Sequence, residues 1–193
     1  VRGTEQALVV ADLPFGSYQE GPAQALATSA RFMKEAGAHA VKLEGGHSVL
    51  PQIEALAGAG VPVIGHLGLT PQSVNLLGGY RVQGRGESGQ RLLQDAKALE
   101  SAGAAAVVLE VVPADLAASV TEVLSIPTIG IGAGAATDAQ VIVWQDLLGL
   151  TPDPAPRFVR RYANLREVMA GAVSSWVHDV ETRSYPAEEH TYA

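Results

Sequence analysis

Short runs of β-branched and small apolar residues recur along this chain, each closed by a turn signal and followed by a longer stretch with helical spacing. That alternation is what a parallel sheet demands, because parallel neighbours must be joined by crossovers of a dozen or more residues. Six strand-like runs can be read, at 8–11, 39–43, 61–65, 105–109, 128–131 and 140–143. Between the first two, Ala25, Leu26, Phe32 and Met33 mark a crossover helix over 21–36, with Gly37 as its C-cap. Thr70-Pro71-Gln72-Ser73 reads as a helix start with proline at the first helical position, and a further helix runs from near Glu87 to Gly103. Thr137 and Gln140 have capping-box spacing, but the β-rich run that follows leaves that segment open between helix and strand. From Arg157 to about Val180, the residues Phe158, Val159, Tyr162, Leu165, Val168 and Met169 fall on one side, predicting terminal helices packed against the rest and ended by Tyr185-Pro186.

Composition narrows the class. With 47% hydrophobic and 17% charged residues, and no linker or second compositional regime, the 193 residues read as a single α/β domain with C-terminal helices from about 157. Glycine is frequent (21) and aromatics are few (5%), which suits closely spaced strands and short βα turns. A net charge of −7 leaves no excess of lysine or arginine to displace counterions from a phosphate backbone, so nucleic acid is excluded as a partner class. There is no cysteine, so a thiolate metal site or cysteine nucleophile is excluded and any metal must be a hard ion. No apolar run approaches the roughly 18 residues of a membrane span, and Val1-Arg2-Gly3-Thr4-Glu5-Gln6 lacks a signal-peptide core, which gives a cytoplasmic reading without a membrane. An eightfold (β/α)₈ barrel takes ~250 residues, so six strands fall about two βα units short; the abrupt entry into the first strand places those units before Val1.

Most of the apolar runs end on one isolated polar residue: Asp12, Glu44, His66, Glu110, and in the last run Gln145 with Asp146. In a parallel barrel the carboxyl ends of all strands open on one face, so these residues converge although they are distant in sequence. Each also has a plain structural reading. Asp12 can cap a turn, and a lone histidine at a strand end is more often a hydrogen-bonded structural residue. Lys42 and Glu44, two apart on a strand, share a face and can neutralise each other. Glu110, set in Ala105-Ala106-Val107-Val108-Leu109-Glu110-Val111-Val112-Pro113, is the least easily dismissed, because desolvation there should disfavour its charged form and make it a useful base. Gly130-Ile131-Gly132-Ala133-Gly134 lacks the G-x-G-x-x-G spacing of a dinucleotide loop and reads as a turn that lets backbone approach a ligand, or as a plain tight turn. The glycine-flanked basic stretch 78–86 reads as a mobile loop over an anionic substrate or a solvated loop.

Seven segments in order resemble ketopantoate hydroxymethyltransferase. They are Val10-Ala11-Asp12-Leu13-Pro14-Phe15-Gly16-Ser17-Tyr18, Ala40-Val41-Lys42-Leu43-Glu44-Gly45-Gly46, Gly65-His66-Leu67-Gly68-Leu69-Thr70-Pro71-Gln72-Ser73, Gly79-Tyr80-Arg81-Val82-Gln83-Gly84, Val108-Leu109-Glu110-Val111-Val112-Pro113, Ile129-Gly130-Ile131-Gly132-Ala133-Gly134 and Trp144-Gln145-Asp146. The end Tyr185-Pro186-Ala187-Glu188-Glu189-His190 is similar to that family's C-terminus. The resemblance implies a TIM barrel here lacking its first two βα units. It also implies a Mg²⁺ site using Asp12 and Glu44, oxo-acid contacts from Asp12, Lys42 and His66, and Glu110 as general base. The implied reaction moves a one-carbon unit from 5,10-methylenetetrahydrofolate to 3-methyl-2-oxobutanoate, giving 2-dehydropantoate for pantothenate biosynthesis, in a large homo-oligomer, a decamer by resemblance. The family's further metal-binding aspartate and a substrate-holding serine, carried on two earlier strands, have no match here.

Two other readings stand beside this one. One is another Mg²⁺-dependent oxo-acid enzyme of the isocitrate lyase and phosphoenolpyruvate mutase type, although those lyases use a catalytic cysteine that this chain lacks. The other is an inactive fragment that only oligomerises.

Overall fold

Six strands form in the computed structural model, which describes residues 1–192: β1 (Val10–Asp12), β2 (Ala40–Glu44), β3 (Val63–Gly68), β4 (Ala106–Glu110), β5 (Thr128–Ile131) and β6 (Ala139–Gln140). All pair in parallel and in chain order, β1-β2-β3-β4-β5-β6. A doubly wound sheet reverses its strand order at a switch point; this one never does, so its connections all step the same way, as in an arc of a (β/α)₈ barrel.

β5 coincides with its hydrophobic run, whereas β1–β4 both start and end further along than theirs. The ladder continues through the polar residues, so that Asp12, Glu44 and Glu110 are the last residues of β1, β2 and β4 and His66 lies inside β3, two residues before its end. Charge interrupts a hydrophobic run without interrupting a backbone ladder, because the side chain and the peptide hydrogen bonds point in perpendicular directions. The last run is corrected more sharply. β6 occupies Ala139–Gln140 only, and 141–143 are not strand. Gln140 Nε2 donates to Thr137 Oγ1 at 2.8 Å, so the capping-box pair serves a turn leading into a strand.

Helix α1 (Pro22–Ala36) forms where the apolar spacing places it, with Pro22 at the first turn. Gly37 ends it in the left-handed region (φ 72°), and its N–H closes on the Met33 carbonyl, the 5→1 bond of an αL cap, while the Ala38 N–H reaches the Phe32 carbonyl. Helix α3 (Glu87–Ser101) is likewise where the sequence puts it, whereas α2 (Leu50–Gly58) and α4 (Ala114–Val123) were not marked by the periodicity. Thr70-Pro71-Gln72-Ser73 does not start an α-helix: Pro71–Ser73 is a single 3₁₀ turn. One side of the sheet carries Val41, Leu43, Val63, Leu67, Val107 and Leu109, buried in the same core cluster as Ala25, Ile53, Leu56, Leu99 and Val120 of α1–α4. Shielding that apolar surface from water is the main drive for the helices to dock.

The chain divides into two compact units, Val1–Val141 and Ile142–Ala193. The second holds α5 (Trp144–Leu147) and α6 (Leu165–Glu181). The terminal helix thus begins at Leu165, not near Arg157. It also buries none of its residues: Met169, Val173, Trp176, Val177 and Val180, spaced along one helical stripe, are exposed. No described helix is long and apolar enough to cross a membrane.

Candidate active site

Parallel register fixes which side chains share a face. Asp12 pairs with Lys42, Glu44 with His66, Gly68 with Glu110, and Glu110 with Ile131. Because side chains alternate along a strand, Asp12, Lys42, Glu44, His66 and Glu110 all project from the side opposite the helix-packed core, near the carboxyl ends of four neighbouring strands. Below them on that face lie Ala40, Ile64, Ala106 and Val108, all buried. The five residues read from the sequence are thus brought together.

Lys42 is the hub. Its Nζ lies 2.8 Å from Asp12 Oδ1, 3.2 Å from His66 Nδ1 and 3.9 Å from Glu44 Oε1. The plain reading of Lys42 and Glu44 as a mutual pair is met at 3.9 Å, and the shorter contact is with Asp12 across the strand boundary. On the far side of the imidazole, His66 Nε2 is 3.2 Å from Glu110 Oε2. That contact is close but poorly aligned, since Nε2 has no partner of hydrogen-bond geometry. In the neutral ring, Lys42 donating to Nδ1 places the imidazole proton on Nε2, facing Glu110.

Burial grades the set. The side chains of Glu44 and His66 are 4% exposed, Glu110 16%, Lys42 17% and Asp12 56%. Burial pushes the Glu44 carboxyl above the usual carboxylate range, and the Asp12 charge adds to the rise; the Gln72 N–H, His66 and Lys42 oppose it. Glu44 Oε2 accepts that N–H at 2.9 Å. The Glu44 backbone N–H donates to the Tyr18 hydroxyl at 3.2 Å, and burial pushes the Tyr18 phenol up to about 12.

The end of β4 is held under strain. Val111, directly after Glu110, has φ 50°, a region that β-branched residues avoid. Its peptide is pinned on both sides: the Val111 N–H donates to Ile131 O at 2.8 Å, and Val111 O accepts the Gln83 N–H at 3.0 Å. The Glu110 carbonyl accepts the Leu69 N–H at 2.8 Å, and a Cβ on Gly68 would stand 2.2 Å from that carbonyl. Glycine at 68 is therefore required for β3 to pass the Glu110 peptide. The Gln83 contact also carries the 78–86 loop to this edge of the sheet, and neither Arg81 nor Arg85 forms an ion pair among the described residues. A 190 Å³ cavity beside it is lined by Gly45, Gly68, Thr70 and Gln83, next to the ends of β2 and β3. A 430 Å³ cleft between the loop at Gly84 and α4 is lined by none of the five residues.

Three sequence readings end elsewhere. Gln145 and Asp146 sit on α5 in the second unit, where Asp146 accepts the Thr151 hydroxyl at 2.6 Å, and they do not end a strand. β5 and the turn after it need glycine for the chain itself, since a Cβ at Gly130 would meet Thr137 Oγ1 at 2.5 Å and one at Gly134 would meet Ala114 Cβ at 2.6 Å. Tyr18 and Gln72, which touch Glu44, were missed as site residues; both lie outside helices and strands of regular spacing, so no periodicity marks them. No group of three or more His, Asp or Glu side chains able to hold a metal by itself occurs among the described residues.

A parallel sheet with strands in chain order, carrying an acid–base cluster at its carboxyl edge, defines an α/β-barrel protein of the kind whose chemistry sits at the strand ends. A putative phosphonomutase from Burkholderia cenocepacia J2315 shares that fold, with TM-score 0.54 at 18% identity over 93% of this chain and 73% of its own. Residues 1–188 match the family model described as ketopantoate hydroxymethyltransferase, and the chain belongs to that family. It is 66% identical over 192 residues to the 3-methyl-2-oxobutanoate hydroxymethyltransferase of Frankia alni, and 62% identical over 193 residues to that of Thermobifida fusca. These alignments take in the whole chain but only 63% and 69% of the relatives, so the chain spans about two thirds of their length.

Proposed function

We propose that this chain carries the oxo-acid site of a 3-methyl-2-oxobutanoate hydroxymethyltransferase. The observation that supports it most directly is the line Lys42–His66–Glu110, which delivers a carboxylate oxygen to the same face and strand edge as Asp12 and Glu44. A reaction at the carbon next to a carbonyl needs a base at that carbon and cations at the oxygens that gain charge. Glu110 Oε2 is the base: it takes the C3 proton of 3-methyl-2-oxobutanoate. Water adds to the methylene carbon of 5,10-methylenetetrahydrofolate, both its C–N bonds break and tetrahydrofolate leaves with water's two hydrogens on its nitrogens. The electron pair at C3 then attacks the formaldehyde carbon so released, and its oxygen takes the proton back from Glu110 to become the hydroxyl. The Lys42 ammonium attracts the oxo acid's anionic oxygens, and the His66 ring orients Glu110.

The donor set suits Mg²⁺. Among the described residues, Asp12 Oδ2 and Glu44 Oε1 accept no hydrogen bond, which leaves lone pairs on two carboxylates for an ion that takes one or two carboxylates and completes its shell with water and substrate oxygens. When bound, Mg²⁺ would polarise the oxo group and make the C3 proton easier to remove. Cytoplasmic location, folate as cosubstrate and assembly as a homo-oligomer belong to the same proposal.

Proton NMR in D₂O tests it without folate. The chain with Mg²⁺ and 3-methyl-2-oxobutanoate should exchange the C3 hydrogen for deuterium, while Glu110→Gln should not. Exchange that survives in Glu110→Gln would remove Glu110 from the base role. Titration calorimetry checks the metal: oxo-acid binding should require Mg²⁺ and vanish in Glu44→Ala, and binding indifferent to both would sink the metal assignment.

A further inference from the structure

The 3₁₀ turn Pro71–Ser73 brings Gln72 to a position where it touches both carboxylate-bearing strand ends. Its backbone N–H donates to Glu44 Oε2 at 2.9 Å. Its side-chain Nε2 donates at 2.8 Å to the carbonyl of Leu13, the residue after Asp12. Its Oε1 accepts the hydroxyl proton of buried Tyr18 at 2.9 Å, a shorter contact than the alternative acceptor, Glu44 O, at 3.3 Å. Tyr18 in turn accepts the Glu44 backbone N–H at 3.2 Å. Leu13 is pinned from its other side as well, its N–H donating to Lys42 O at 2.9 Å. One amide side chain therefore links β1, β2 and the loop after β3, using a donor and an acceptor that no other residue type of its length supplies together.

The consequence falls on Glu44. With Oε2 committed to the Gln72 N–H, the oxygen left for chemistry is Oε1, which faces His66 Nδ1 at 3.7 Å and Lys42 Nζ at 3.9 Å. Were Gln72 free to shift, Glu44 could rotate and present either oxygen, and the Leu13 peptide behind Asp12 would lose one of its two anchors. We infer that Gln72 is a positioning residue: through Tyr18 and Leu13 it holds its own N–H on Glu44 Oε2 and so fixes the relative placement of the Asp12 and Glu44 carboxylates. The functional half of this inference rests on the oxo-acid reading above; the geometric half does not.

Gln72→Met tests it, because methionine keeps the length and the backbone N–H but neither donates to Leu13 nor accepts from Tyr18 as the amide does. The first measurement uses the chain without ligand. By NMR hydrogen exchange, the residue-72 amide should exchange about tenfold faster in Gln72→Met, while amides of the β4 core such as Val107 keep their wild-type rates. An unchanged amide at 72, or an acceleration shared equally by Val107, overturns the proposal. Tyr18→Phe gives a second route to the same readout, with the same expected local acceleration, should Gln72→Met not fold.

The second measurement is calorimetric titration of 3-methyl-2-oxobutanoate in Mg²⁺ as a double-mutant cycle. Gln72→Met should weaken binding about tenfold in the wild-type background and less than about twofold in a Glu44→Gln background, where the amide oxygen, unlike alanine, leaves a weaker ligand and hence weaker but measurable binding, because its effect passes through Glu44. Equal losses in both backgrounds overturn a positioning role. A wild-type chain that binds no oxo acid would instead count against the functional reading, and the exchange measurement would still decide the geometric claim.

Discussion

On β2, Val41 and Leu43 point towards the helices and are wholly buried among apolar neighbours, whereas Lys42 and Glu44, one residue away, point to the opposite face and into a cluster of charges. β4 repeats the contrast, with Val107 and Leu109 on one side and Glu110 on the other. The strand is thus a partition. Its helix-facing residues supply most of the hydrophobic free energy, and its other face holds groups whose burial costs free energy unless they are paired. Stability and chemistry are separated by the 180° alternation of the pleat, not by distance along the chain.

Substitutions on the two faces should therefore fail in different assays. The largest effect belongs to Glu110→Gln, which should lower turnover, or C3 exchange, by roughly 10²–10⁴-fold while leaving the melting temperature close to wild type. A large fall in melting temperature would show that the two faces are not separable at β4. Leu109→Ala should do the reverse, costing about 2–5 kcal/mol in chemical denaturation with oxo-acid affinity retained in the folded fraction. An affinity loss matching that of a charge-face variant would break the partition.

Val111→Asn sharpens it further, since asparagine tolerates the left-handed backbone that valine resists. Relief of strain should add about 1 kcal/mol of stability, read from the urea midpoint, with slower C3 exchange because the Glu110 peptide is less firmly held. A variant less stable than wild type would show that the φ of 50° is not a cost to the fold. The smallest effect should be pH-linked. Because the Glu44 pKa is raised on folding, the native state binds this proton more tightly than the unfolded chain does. Wild type then loses stability as pH rises from the unfolded value through the folded one. Glu44→Gln, which cannot ionise, should gain on wild type over that window, and the gain should vanish below the unfolded carboxylate range. A melting-temperature difference constant from pH 4 to pH 8 would assign the effect of the substitution to packing.

How far the sequence was legible follows from the same partition. The presence of the six strands and the helices α1 and α3 could be read because apolar runs, Pro22 and Gly37 are local signals. Strand boundaries could not, since the ladder runs on through Asp12, Glu44 and Glu110, and pairing depends on a neighbouring strand that local sequence does not describe. The amphipathic stripe of α6 was legible as a helix, but periodicity says which residues share a side, not what covers that side. In the site, charged residues stood out against apolar strands. Gln72 did not: it works through its backbone N–H and an uncharged amide, and Thr-Pro before it carries the ordinary signature of a helix start. Burial pushes up the carboxyl of Glu44, which lies at the end of β2 among Lys42, His66 and Tyr18, two of them distant in sequence.

Strand order has a further consequence for how the first unit comes into being. Each strand from β2 to β6 pairs with the one made just before it. A chain leaving the ribosome from its N-terminus at ~5–20 residues per second can then grow the sheet by accretion, with each new βα unit meeting a finished edge. The loops closed at every step are short, so little chain entropy is spent before contacts form. The charged edge is built the same way: Lys42 finds Asp12 already waiting, and Glu110 arrives last, to a histidine in place.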